Sequence, residues 1–354
     1  MTVLADILAR RIAKTGPISV AEYMAECLLH PEHGYYATRD PFGAGGDFTT
    51  APEISQMFGE MVGLWLAQVW LDQGAPAPFT LAEPGPGRGT LMADILRATR
   101  AVPGFADAAR VHLVEASPTL REVQHATLKG HEVTWCDSVA ELPDQPLFLV
   151  ANEFFDALPI RQFQRDAKGW RERQVAVIDG TLGFGLSTPA PIAALDDRLE
   201  DTRPGDIVET CPQAGPIIAE IAARIAARGG AALIFDYGGW HSLGDTLQAL
   251  RAHEFDDPLA HPGEADLTAH VDFEALAAAA PGLTALPLTP QGVFLERLGI
   301  TARAQALADK LSGPALESHI AAHRRLTHPQ EMGTLFKTLA LMPQTAPTPP
   351  GFAP

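Results

Sequence analysis

Leu81-Ala82-Glu83-Pro84-Gly85-Pro86-Gly87-Arg88-Gly89-Thr90 decides how this chain reads. Phe79 to Ala82 is an apolar lead-in with strand character, and the run from Leu91 to Arg97 has helix character. Three glycines at alternate positions join the two. A residue without a Cβ lets the backbone turn tightly and come close to a nucleotide-like ligand. The dinucleotide fingerprint is G-x-G-x-x-G after a strand. Here the pattern is G-x-G-x-G, and Thr90 stands where the third dinucleotide glycine would be. A glycine-rich turn with no ligand is the plainer alternative.

That form, with Glu83 two residues before the first glycine, resembles the first motif of class I S-adenosylmethionine (SAM)-dependent methyltransferases. Downstream, Val111 to Glu115 reads as a second strand ending in an acid. Carboxylates at that position accept hydrogen bonds from ribose hydroxyls in Rossmann-like folds. Ser117-Pro118 then reads as an N-cap followed by proline at N1. Further strands fall at 132–136, 147–151 and 231–235, with helices at 89–100, 117–128 and 212–228. Strands alternating with helices imply an α/β fold, a mostly parallel sheet with helices on both faces.

Before the glycine turn, Leu4, Ile7, Leu8, Arg11 and Ile12 fit a helical stripe. Ser19 and Glu22 form a capping-box pattern. A second stripe runs through Ile54, Met57, Phe58, Met61, Val62, Trp65, Leu66 and Val69. The expected organisation is an N-terminal helical segment over the cofactor site (1–75), a core (76–240), an added lobe that completes the core (241–342), and a mobile proline-rich tail (343–354). The stretch 181–205 reads as a loop or sheet edge.

Composition narrows the function. A net charge of −17 argues against a dedicated nucleic-acid binder. No apolar run reaches the ~20 residues of a membrane span, and Met1 to Ile18 has no secretory-signal pattern. Cys27, Cys136 and Cys211 are far apart, with no C-x-x-C, so a cytoplasmic protein is expected. His30 with His33, and His261 with His270, lack a wider ligand pattern, and no metal is expected.

Ligands of a doubly wound sheet sit at the carboxyl ends of its strands. Asn152-Glu153-Phe154-Phe155-Asp156 follows the strand 147–151. Asn152 and Phe155 are spaced as in the [NDS]-P-P-[aromatic] signature of amino-methylating enzymes, without its prolines. An amide oxygen can orient an acceptor N–H, and an aromatic face can stabilise developing positive charge. Glu153 and Asp156 could hold a planar cation such as a guanidinium, or simply cap the turn. Asp137-Ser138, ending another strand, could bond an adenine amino group or form a surface turn. Gly46-Asp47-Phe48 could close over the cofactor. Asp236-Tyr237-Gly238 could face the acceptor or turn.

Taken together, Gly46 to Glu60, Glu83 to Thr90, Asn152 to Pro159, Asp236-Tyr237-Gly238 and Asp266 to Phe273 resemble the MidA family of SAM-dependent methyltransferases over nearly the whole chain. The resemblance implies a Rossmann-like class I core with an added lobe and SAM as cofactor. Gly85, Gly87, Gly89 and Glu115 would bind SAM, with Asn152, Glu153 and Asp156 beside the acceptor. It also implies transfer to an arginine of a protein, which for mitochondrial members is a core subunit of respiratory complex I. The absence of a transit pattern points to a bacterial member. A non-catalytic SAM-binding assembly factor and a nicotinamide-dependent oxidoreductase are the alternatives.

Overall fold

The computed structural model describes residues 2–38 and 49–352. The chain forms two compact units, each assembled from separate stretches: 1–48, 156–215 and 239–272 in one, 49–155, 216–238 and 273–354 in the other.

The larger unit is built on a sheet whose strands lie in the order Leu283–Ala285, Phe336–Pro343, Gly230–Gly239, Leu147–Asn152, Phe79–Pro84, Ala109–Val114, Val133–Cys136. From Gly230–Gly239 to Val133–Cys136 every neighbour is parallel. Phe336–Pro343 closes the other side antiparallel, and Leu283–Ala285 pairs with it. Phe79–Pro84 and Leu147–Asn152 are buried at every residue, which explains why they read as mostly apolar without strict alternation. The chain steps from Phe79–Pro84 toward Val133–Cys136, then resumes at Leu147–Asn152 on the opposite flank. Right-handed crossovers in the two directions put their helices on opposite faces. The reversal makes the carboxyl ends of Phe79–Pro84 and Leu147–Asn152 the two sides of a switch-point crevice.

Helices Gln56–Asp72 and Thr90–Thr99 pack almost backbone to backbone. A Cβ on Gly59 would stand 2.5 Å from the Asp94 Cβ, and one on Gly63 would stand 3.1 Å from the Ile95 Cα. Glu60, 4% exposed, bonds Arg97 (2.7 Å) and Arg303 (2.7 Å), so one carboxylate ties the pair to helix Ile300–Ala308.

The end of the chain corrects an expectation. The stretch from Pro343, read as mobile, is anchored as far as residue 352. Phe352 is 5% exposed, with its ring 5.2 Å from that of Phe294. The Trp65 indole donates to the Pro350 carbonyl (3.0 Å) and Arg297 to that of Gly351 (3.2 Å). One aromatic anchor outweighs the proline-rich composition around it.

The smaller unit opens with helices Val3–Thr15 and Val20–Leu29, and the Ser19–Glu22 capping box is formed. Its antiparallel sheet runs Ile18–Ser19, Gly169–Ile178, Arg161–Asp166, Ile207–Thr210, with Thr181–Leu186 also on Gly169–Ile178. Ion pairs Arg161–Glu172 and Arg171–Asp166, both 2.8 Å, join the central strands. These charges mask the apolar alternation in the sequence, and cross-strand pairing supplies what it lacks. A three-stranded sheet follows, Glu254–Asp256, Gln248–Arg251, Asp266–Thr268. Thus the stretch expected as an added lobe is shared: 239–272 lies here, and 273–342 lies in the larger unit. No helix among the described residues is long and apolar enough to cross a membrane.

Candidate active site

The glycine turn follows Phe79–Pro84 as the sequence requires. Gly85, Gly87 and Gly89 have φ of +60°, +52° and +80°, left-handed values that a side chain resists. A Cβ on Gly85 would stand 2.8 Å from the Phe154 ring. Gly89 is the N-cap of helix Thr90–Thr99. Glu83, 3% exposed, accepts a hydrogen bond from the Met92 amide in that helix's first turn. Burial pushes its carboxyl well above the usual range, against the opposing effect of that bond. Its Oε2 has no hydrogen-bond partner among the described residues. A buried acceptor left open beside bare backbone fits a ligand that brings its own donor, as the SAM amino group does.

The second acid is more heavily held. Glu115, 9% exposed, follows Ala109–Val114. Its Oε1 accepts from the Ser117 amide (2.8 Å), and Ser117 caps helix Pro118–Thr127 as read. Burial raises its carboxyl, a rise that the bonds from Ser117 and Gln124 moderate. Gln124 is the residue the sequence reading missed. It is fully buried, and its Nε2 donates to the Gly87 carbonyl (2.8 Å) and to Glu115 Oε2 (3.1 Å). Arg121 donates to the carbonyls of Glu115 and Cys136 and to the Asp137 carboxylate. Asp137 itself is exposed past Val133–Cys136, and its amide donates to Glu141. Ser138 precedes the short turn Val139–Glu141 without capping it through its side chain.

Across the switch point, Asn152 ends its strand 8% exposed. Its Nδ2 donates to Glu153 Oε1 (2.9 Å), and its Oδ1 has no partner among the described residues. Glu153 holds φ +50°, which costs roughly 1–2 kcal/mol in a residue with a Cβ. The same Oε1 accepts from the Ala51 amide (3.1 Å), and Glu53 accepts from the Thr90 hydroxyl (2.5 Å). Thr50 to Glu53 is thereby joined to both sides of the crevice. Phe155, the aromatic of the expected N-x-x-aromatic arrangement, is 3% exposed, and its amide donates to fully buried Asp236 (3.1 Å). The ring against the glycine turn is Phe154. Neighbours in an irregular turn point apart, and spacing alone does not say which faces the crevice.

Asp156 belongs to the smaller unit and is 5% exposed. Its carbonyl accepts from the Ala269 amide (2.9 Å). In the same unit the Tyr36 hydroxyl donates to Asp266 Oδ1 (2.9 Å). Burial, then the Asp266 and Asp156 carboxylates, hold that phenol well above its usual range. Gly46, Asp47 and Phe48 lie outside the described residues. Among the described residues no group of three or more His, Cys, Asp or Glu is arranged to hold a metal.

Parallel sheet, switch-point glycine turn and flanking acids define a class I SAM-dependent methyltransferase. Residues 61–289 match the family model of S-adenosyl-L-methionine-dependent methyltransferases, and the chain belongs to this, the MidA-like, family. Mitochondrial protein arginine methyltransferase NDUFAF7 of Bos taurus is 40% identical over 95% of this chain and 82% of its own. The Drosophila melanogaster homolog is 38% identical over 96% and 85%. A Burkholderia thailandensis protein solved with S-adenosyl-homocysteine superposes with TM-score 0.82 at 30% identity, covering 99% of this chain and 92% of that one. The cofactor is SAM, and the nicotinamide alternative falls away.

Proposed function

We propose that this methyltransferase modifies an arginine side chain of a protein partner. SAM supplies an electrophilic methyl group on a sulfonium. In this reading Gly85, Gly87, Gly89, Glu83 and Glu115 hold the cofactor, with Asp137 and Ser138 at its adenine. The observation that carries the acceptor assignment is the open Asn152 Oδ1, a buried acceptor at the carboxyl end of Leu147–Asn152. An amide oxygen there can accept a guanidinium N–H and orient that nitrogen for in-line attack on the sulfonium methyl; the C–S bond breaks to leave S-adenosyl-homocysteine, and the nitrogen's proton passes to the Glu153 carboxylate. Glu153 and Asp156 supply carboxylates for the planar cation, and Phe155 completes the turn that carries them. The arginine activity in the relatives' names supports the same acceptor. A core subunit of respiratory complex I is the partner implied by the family resemblance, and a bacterial cytoplasm is the compartment.

The test is methyl transfer from labelled SAM to arginine-containing protein by wild type, Asp156→Ala and Asp156→Asn, with SAM affinity measured alongside. Lost transfer with SAM affinity retained supports the assignment. Unchanged transfer removes Asp156 from the mechanism.

A further inference from the structure

We infer that Gln124 is a positioning residue for the cofactor, locking the glycine turn and the ribose-binding acid into one geometry through a single amide. This rests on the reading of Gly87 and Glu115 as SAM contacts. Gln124 lies in the interior of helix Pro118–Thr127 and is fully buried, an unusual place for an amide. Its orientation is forced. Trp135 Nε1 is a donor only and meets Oε1 at 2.9 Å. The Gly87 carbonyl and the Glu115 carboxylate are acceptors only, so Nε2 must face them. A flipped amide would oppose like groups at all three contacts. Three segments far apart in sequence, the glycine turn, the end of Ala109–Val114 and the strand Val133–Cys136, therefore converge on one side chain.

The arrangement has a consequence for ligand binding. Gly87 stands at φ +52° and has no side chain of its own to fix its peptide. Glu115 Oε1 is fixed by the Ser117 amide and Oε2 by Gln124. Without Gln124 the Gly87 peptide and one carboxylate oxygen are both released, and the ligand must order them at the expense of affinity. At saturating SAM that cost has already been met, so transfer proceeds as before. The expected signature is a raised Kd and KM for SAM with kcat and the acceptor KM unchanged.

Gln124→Met keeps length and buried volume while removing all three bonds. Gln124→Glu keeps the acceptor for Trp135 but puts an oxygen against Gly87 and Glu115. Trp135→Phe removes the third bond, together with part of the Trp135–His125 stacking, and leaves both Nε2 bonds. Calorimetric titration of SAM, with the apo melting temperature of each variant, should show SAM affinity weakened about ten- to hundredfold in Gln124→Met and Gln124→Glu. Trp135→Phe should stay within about threefold of wild type. Wild-type affinity in a folded Gln124→Met or Gln124→Glu overturns the inference. So does an affinity loss that follows the melting temperature across all three variants, because that is the mark of packing alone. If wild type itself does not bind SAM, the cofactor assignment of Gly87 and Glu115 is what fails.

Discussion

Gly85→Ala tests the glycine turn at the point where its geometry is tightest. Two costs can be separated. The first is backbone: φ +60° in a residue with a Cβ costs roughly 1–2 kcal/mol. The second is contact: the new Cβ would lie 2.8 Å from the Phe154 ring, well inside the ~3.5 Å at which carbon atoms attract. Overpacking of this kind costs about 1–3 kcal/mol, less where the neighbour can retreat, and Phe154 is only half-buried. The sum is about 2–4 kcal/mol. At roughly 2–4 °C per kcal/mol for a unit of this size, the melting temperature should fall by about 5–15 °C. SAM affinity should fall at least about tenfold, because the displaced turn and ring border the switch-point crevice proposed to hold the cofactor. Gly130→Ala is the control. Its φ is +95° with nothing within 4 Å of the new Cβ, so it carries the backbone cost alone and leaves SAM binding intact. In a Phe154→Leu background Gly85→Ala should cost less, by about 1 kcal/mol, as the double-mutant coupling. Thermal melts and calorimetry read all five proteins: wild type, Gly85→Ala, Gly130→Ala, Phe154→Leu and the double variant. Wild-type stability and affinity in Gly85→Ala, or an undiminished cost in the Phe154→Leu background, would refute the reasoning.

Glu60→Gln should destabilise the larger unit by about 2–3 kcal/mol, below the figure for a fully buried pair because Arg97 and Arg303 can rehydrate. Burial pushes the Glu60 carboxyl up, but the bonds from Arg303 and Arg97 prevail and hold it below its usual value. Its contribution is therefore present above the unfolded carboxylate pKa of about 4.3 and disappears as pH falls through the lower folded value. The gap between wild-type and Glu60→Gln melting temperatures should be widest near neutrality and close in acid. Phe352→Ala should cost about 3–4 kcal/mol in chemical denaturation, since it empties a buried site between Trp65 and Phe294; a cost under about 1 kcal/mol would mean the chain end is not anchored.

The core of the fold was legible because parallel strands buried on both faces cannot hide their apolar character, and because a run of positive-φ positions such as Gly85, Gly87 and Gly89 strongly favours glycine. Ser117 and Ser19 announced their caps for the same reason: local chemistry decides them. What escaped the sequence depends on partners distant along the chain. Gln124 reads as an ordinary helix residue until Gly87, Glu115 and Trp135 surround it. The strands Arg161–Asp166 and Gly169–Ile178 look too charged for a sheet until their ion pairs are seen across it. Phe154 and Phe155 could be told apart only by the turn that aims them. The interleaving of the two units has no local signal at all, since burial between distant stretches leaves no mark on either stretch alone.

The central claim, methyl transfer to protein arginine, is tested most directly by mass spectrometry of methylarginine on proteins that co-purify with this enzyme, compared between cells with and without its gene. The account predicts at least one partner whose arginine is methylated in the presence of the enzyme and unmodified in its absence. Restoring the gene as Asp156→Ala should not restore the modification. Identical methylarginine in both cell types would contradict the claim and leave SAM as a ligand of an assembly factor that does not use it.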